Sequence, residues 1–294
     1  MEYLDAYAGY LRETKNASHN TLESYLRDIR QFLAFLDHES QPLEQVTAPV
    51  IEQYLHALQQ QGKTPATLTR SLSSVRSFFN YLMLQHVIQM NPTRQIKLDK
   101  AEKKLPEILT KAEVEALLRQ PDLLTIKGCR DRTILELLYE TGLRVTELID
   151  LNVDDLNMQL SILTVRTDRK ERIIPLYNAA IKVLSDYMLR IRPAIVKDRS
   201  EKSLFLNMNG DRLTRQGLWK IIKYYTQAAG IQKSITPHTL RHSLAAHMLE
   251  NGADLKDIKE ILGHADISST QIYGRLVKNK YAKSFNRFHP RADV

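Results

Sequence analysis

The sequence predicts a mainly α-helical chain in two domains, with one small β-sheet in the second. Three observations carry this. The 294 residues are enough to bury two cores, apolar residues recur at three- and four-residue spacing through most of the chain, and β-rich runs are confined to residues 160–176. The boundaries fall at a helical bundle over 1–90, a linker over 91–106 and an α+β domain over 107–294.

A short helix is expected over 2–13. From Ser18, a plausible N-cap, Leu22, Tyr25, Leu26, Ile29, Phe32, Leu33 and Leu36 line one helix face. A third helix runs from Thr47 through Pro49 and stops at Gly62. The fourth starts near Thr64 with an apolar stripe of Leu68, Leu72, Val75, Phe79 and Leu82. It leaves Thr67, Arg70, Ser73, Ser74, Arg76 and Ser77 on other faces. Short hydroxyls and arginines suit a phosphate backbone, although a solvated face fits equally well. Residues 91–106 are proline-bounded, basic and aperiodic, as a linker is.

In the second domain Thr110 should cap a helix over 111–119, and another over Asp131–Tyr139 should end at Gly142. Leu160–Val165 and Arg172–Leu176 form a hairpin around the basic tip Arg166-Thr167-Asp168-Arg169-Lys170-Glu171. Helices follow at 177–191, 214–229, 237–250, 254–262 and 269–283.

Composition narrows the function. With 43% hydrophobic and 26% charged residues the chain is neither fibrous nor low-complexity. No apolar run approaches the roughly 18–20 residues of a membrane span, and Met1-Glu2-Tyr3-Leu4-Asp5 lacks a basic signal-peptide start, so a cytoplasmic protein is expected. A single cysteine, Cys129, agrees with a reducing compartment and reads as a small buried apolar residue. The net charge is +8, and most of the excess follows residue 105, where 30 basic residues face 23 acidic ones. Such a balance favours a polyanionic partner without choosing among DNA, RNA and membrane.

The chemistry concentrates in a few segments. Thr236-Pro237-His238-Thr239-Leu240-Arg241 opens a helix, where backbone amides and Arg241 suit a phosphate. An exposed arginine beside a packed histidine is the plainer reading. His238 and His242 have zinc-ligand spacing, but Thr239 replaces the zincin glutamate and Arg241 adds a cation, so no metal site is expected. No P-loop occurs. Two helices around Gly252 offer the alternative of a helix-turn-helix regulator.

A regulator needs none of the longer ordered set: Thr141-Gly142-Leu143-Arg144-Val145-Thr146-Glu147-Leu148, the basic hairpin, His238-Thr239-Leu240-Arg241, Leu262-Gly263-His264, and Tyr273. That set resembles the tyrosine site-specific recombinases, whose pattern is an arginine, a hairpin lysine, His-x-x-Arg, a second histidine and a nucleophilic tyrosine in this order. The ending His289-Pro290-Arg291-Ala292 resembles the Xer branch, which resolves chromosome dimers at cell division.

The resemblance covers nearly the whole chain. It implies a SAM-like helical core-binding domain and an α+β catalytic domain, together clamping a double-stranded recombination site. It also implies strand exchange through a 3′-phosphotyrosyl bond, with no cofactor, ATP or metal. Arg144 and Arg241 would clamp the phosphate, His238 would assist proton transfer, His264 would hydrogen-bond the phosphate, Tyr273 would attack, and Glu147 would orient its neighbours. Arg166 and Arg169 would contact DNA. A homo- or hetero-tetramer with a second recombinase is implied, the tail 281–294 docking on a neighbouring subunit, with a DNA translocase as a regulator.

The hairpin departs from the Xer pattern Gly-Lys-Gly-x-Lys-Glu-Arg. Registering on Lys170-Glu171-Arg172 places Thr167 where the catalytic lysine belongs, and the glycines are missing. Lys170 is the nearest residue able to give up a proton and is assigned as the general acid, a backbone-phosphate contact being the opposing role. An integrase of a mobile element and a catalytically silent DNA-binding relative are the alternatives.

Overall fold

The computed structural model describes residues 2–98, 106–167 and 170–263, without the side chains of Glu2 and Lys170. The chain forms two compact units, 1–103 and 104–294.

The first unit contains α1 (Glu2–Glu13), α2 (His19–His38), α3 (Ala48–Gln60) and α4 (Pro65–Leu84). Ser18 and Thr64 cap α2 and α4 by accepting the N–H of Thr21 and Thr67. The apolar stripes meet in a core where Ile29, Phe32, Ile51, Val75, Phe78 and Leu82 are fully buried. Rings fill the centre, with Tyr7 edge-on to Phe78 at 5.1 Å and Phe32 edge-on to Tyr54 at 5.0 Å.

Part of the segment read as linker is built into this unit. Asn91, Thr93 and Ile96 are buried. The Asn91 amide donates to the Arg76 carbonyl at 3.1 Å, and the Arg76 guanidinium donates to the carbonyls of Thr93 and Ile96 at 3.3 and 3.0 Å. Low periodicity hid this, because the segment is fastened by polar bonds to α4 and not by an apolar stripe.

The second unit begins with α5 (Lys111–Leu118), capped reciprocally by Thr110 and Glu113. Next come α6 (Ile126–Thr141) and α7 (Val145–Asp150). The start of α6 lies five residues before the expected one. Thr125 caps it, and the charges that masked it fold inward: Arg130 donates to Asp131 at 2.8 and 2.6 Å, and the Tyr225 hydroxyl reaches the same carboxylate at 3.1 Å. Ile134, Leu135, Leu137 and Leu138 are all buried, so α6 is the central helix.

The sheet is antiparallel in the order β1 (Leu156–Asn157), β2 (Ile162–Thr167), β3 (Lys170–Pro175), of which β1 was not anticipated. Leu163, Val165 and Ile174 bury one face, and Val165 pairs with Arg172. The helix expected over 177–191 is α8 (Asn178–Asp186) followed by a π-helical turn, Tyr187–Ile191, and α9 (Arg192–Ile195). Pro193 has no N–H for the carbonyl four residues back, and its ring crowds that carbonyl, so the helix widens just before it. Then come α10 (Arg215–Ala228), α11 (Pro237–Glu250) and α12 (Leu255–Leu262), within a residue or so of expectation. The helix expected over 269–283, together with His264, Tyr273 and the tail 281–294, lies outside the described residues. No described helix is long and apolar enough to cross a membrane.

Candidate active site

The last turn of α12 gathers the reactive segments. A helix ends with carbonyls that have no partner within the helix, and cations satisfy them well. Here three consecutive carbonyls each take one arginine. Arg172 Nε donates to Ile261 at 3.0 Å, Arg241 donates to Leu262, and Arg144 Nη2 donates to Gly263 at 2.9 Å. The arginines come from β3, from the first turns of α11, and from the N-cap of α7.

Glu147 ties two of them together. Its carboxylate accepts from the Arg144 backbone N–H and Nη1, both at 2.8 Å, and from Arg172 Nη1 and Nη2, both at 2.9 Å. Burial opposes its charge, but the Arg172 fork, the Arg144 N–H and the two guanidinium charges outweigh that and hold the carboxyl at about 2. Three guanidiniums against one carboxylate leave the cluster positive, as an anion site requires.

Two glycines permit this closeness. Gly142 ends α6 with a left-handed φ of 60°, and its carbonyl accepts from Arg241. Gly263 has φ +62°, and a Cβ there would stand 2.8 Å from Arg172 Nη1. A side chain at 263 would press on the guanidinium that Glu147 holds.

In α11, Thr236 caps the helix by accepting the Thr239 N–H at 3.2 Å, which sets His238 in the first turn. Partial burial, with the positive charges of Arg241 and Arg144, lowers the His238 pKa, favouring a neutral ring that can accept a proton. His242, 6.4 Å away between ring centroids, is lowered to about 4 by burial, His238 and Arg241. Among the described residues no group of three or more His, Cys, Asp or Glu is placed to hold a metal.

The hairpin tip is described only to its ends. Thr167 and Lys170 are register partners, on the rung beyond Val165 and Arg172 by two residues. Asp168 and Arg169 lie outside the described residues. Arg166 is 58% exposed and pairs with Asp155 and, at 3.0 Å, with Glu171.

The polar face of α4 needs correction. Ser74 is fully buried and donates to Asp28 at 2.8 Å, so it is not a surface contact for a phosphate. Arg76 fastens residues 93–96, as above. Arg70 pairs with the same buried Asp28, Ser73 bonds the Thr69 carbonyl at 2.8 Å, Thr67 joins the Thr64 cap, and Ser77 is partly buried. Serines and arginines on a polar stripe read as an outward face, and Asp28, 42 residues from Arg70, turned part of it inward.

Arg172 joins this cluster although the motif reading left it unassigned. The only sequence signal was its place in the Lys-Glu-Arg run, because its partners lie 25 and 89 residues away.

A four-helix unit followed in the chain by an α+β unit that carries this arginine cluster defines a class. A family model described as the Phage integrase family matches residues 107–280, and one described as the Phage integrase N-terminal SAM-like domain matches 4–86, so the chain belongs to the phage integrase family. It is 43% identical over 291 residues to a protein named Tyrosine recombinase XerD from Staphylococcus epidermidis, covering 98% of this chain and 99% of that one. The same name from Staphylococcus aureus matches at 42% with the same coverage. The chain is a tyrosine recombinase of site-specific DNA recombination.

Solved structures share the fold. XerH recombinase bound to its difH substrate in a post-cleavage complex aligns with TM-score 0.79 at 21% identity, over 96% of this chain and 82% of that one. A lambda integrase dimer bound to a COC′ core site gives 0.72 at 20%, over 92% and 94%. XerA recombinase gives 0.55 at 27% identity, over 99% and 100%.

Proposed function

We propose that Tyr273 attacks a scissile phosphate, so that the new tyrosyl P–O bond forms as the bond to the 5′-oxygen breaks and that oxygen leaves protonated. The gathering of Arg144, Arg172 and Arg241 on the last turn of α12, with Glu147 tying the first two together, is the observation that supports this best. Arg144, with 36% of its side chain exposed, is the arginine open to a phosphate oxygen. Arg241, 3% exposed, adds its charge from beneath. His238, favoured neutral, takes the tyrosine proton, and His264 hydrogen-bonds the phosphate. Lys170 is the general acid: its register partner is Thr167, the position of the family's lysine, so both stand on one rung of the hairpin. Arg169 and Arg166 extend the DNA contact, Arg166 exchanging its acidic partners for phosphate.

We infer that both units bind the recombination site and that the connection between the domains is shorter than 91–106, since 91–96 is held by α4. The full-length likeness to proteins named XerD, with the ending 289–292, supports chromosome dimer resolution in the cytoplasm. The assembly would be a homo- or hetero-tetramer, completed by the tail 281–294 on a neighbour and regulated by a DNA translocase.

The test is a nicked suicide duplex carrying a site selected from random DNA by the wild-type chain. Wild type accumulates a covalent adduct on a denaturing gel, and Tyr273→Phe binds the duplex equally well but forms none. Adducts persisting in Tyr273→Phe would reject the assignment.

A further inference from the structure

Arg172 lies next to the reaction without being free to take part in it. Both ends of its planar fork are on Glu147 and its Nε is on the Ile261 carbonyl, with 15% of the side chain exposed. Through Glu147 it shares an oxygen, Oε1, with Arg144 Nη1. Through its own backbone it belongs to β3, two residues after Lys170, a distance of about 6.6 Å along a strand. It therefore joins the hairpin to the arginine most open to the phosphate.

The sheet has other means of forming. Leu163, Val165 and Ile174 already bury its face in the core. The polar bonds of Arg172 fix something finer, namely where the hairpin end stands relative to Arg144. A bidentate fork fixes direction as well as distance, which a lysine ammonium does not.

We propose that Arg172 is a positioning residue, locking β3 onto the Arg144–Glu147 pair so that the proton donor of the hairpin meets the leaving 5′-oxygen. This rests on the reading above that the hairpin supplies that proton. Loss of the lock displaces the donor while the phosphate clamp survives. Displacement of a catalytic group by about 1 Å costs on the order of 100-fold in rate.

The experiment uses the full chain, single-turnover adduct formation, and two versions of the selected nicked duplex: ordinary DNA and DNA with a 5′-bridging phosphorothiolate. In the second, the P–S bond breaks and the thiolate leaves without taking a proton. Arg172→Gln and Arg172→Lys should bind DNA and melt cooperatively, form adduct about 100-fold more slowly on ordinary DNA, and return to within about 5-fold of wild type on the thiolate. Glu147→Gln, which also releases Arg144, should stay slow on both.

Equal defects of the Arg172 variants on the two DNAs, or none on ordinary DNA, would overturn the proposal. So would failure of both variants to melt cooperatively, which would make the residue a folding element. Lys170→Ala separates the two readings. If it is not rescued while Arg172→Gln is, the lysine assignment falls and the positioning role stands with another hairpin donor. If it is rescued while Arg172→Gln is not, the reverse holds.

Discussion

Gly263→Ala adds one methyl group at the point where three arginines meet, and its cost can be worked from two contributions. The left-handed φ of +62° costs an alanine about 1 kcal/mol. The new Cβ would stand 2.8 Å from Arg172 Nη1 and 3.0 Å from Cζ, so the guanidinium must move. It is the end of a flexible side chain, but three hydrogen bonds hold it, and weakening one charge-assisted bond costs about 1.5–3 kcal/mol. The sum is about 3 kcal/mol. Gly230→Ala is the matched control: its φ is +67° and nothing lies within 4 Å of the added carbon, so it bears only the backbone cost of about 1 kcal/mol. The chain has one tryptophan, Trp219 in α10, so urea unfolding followed by its fluorescence reports on the second unit alone. The expected order is wild type, then Gly230→Ala, then Gly263→Ala. If the two variants agree to within about 0.5 kcal/mol, the crowding of Arg172 by position 263 is not real.

The remaining predictions concern charge. The Glu147 carboxyl is held at about 2, below its ordinary 4.5, so it stabilises the fold fully above pH 4.5 and that share is lost as pH falls through about 2. Glu147→Gln should cost about 3 kcal/mol at pH 7 by Trp219 fluorescence, and the gap to wild type should narrow steadily from pH 5 towards 2; a constant gap would mean the carboxyl is not ionised in the fold. His242 is lowered to about 4, so its contribution is complete above 6.5 and declines as pH falls to about 4. His242→Gln should flatten the stability profile across that window, and an unchanged slope would assign the acid sensitivity elsewhere. In the first unit Asp28→Ala removes the partner of Arg70 and leaves Ser74 only the Arg70 carbonyl, and should lower the helix melting transition measured by circular dichroism, an effect that Asp28→Asn should reduce only in part.

Sequence alone determined most of the described helices and the order of the reactive segments. Caps, periodicity and glycine stops act over three or four residues, and the starts at Ser18, Thr64, Thr110 and Thr236 are all of this local kind. The ordered set from Arg144 to Tyr273 is likewise legible without coordinates, as a pattern of residue identity along the chain that resembles the family's. Tertiary structure decided which charges meet. The early part of α6 was hidden because Arg130 and Asp131 look like surface residues until they are seen to satisfy each other inside. Ser74 looked outward until Asp28 claimed it. Arg144, Glu147, Arg172 and the end of α12 are brought together across 25, 89 and 119 residues, by hydrogen bonds whose partners no periodicity encodes. A buried charge must find its partner wherever packing puts one, and packing is a property of the whole fold.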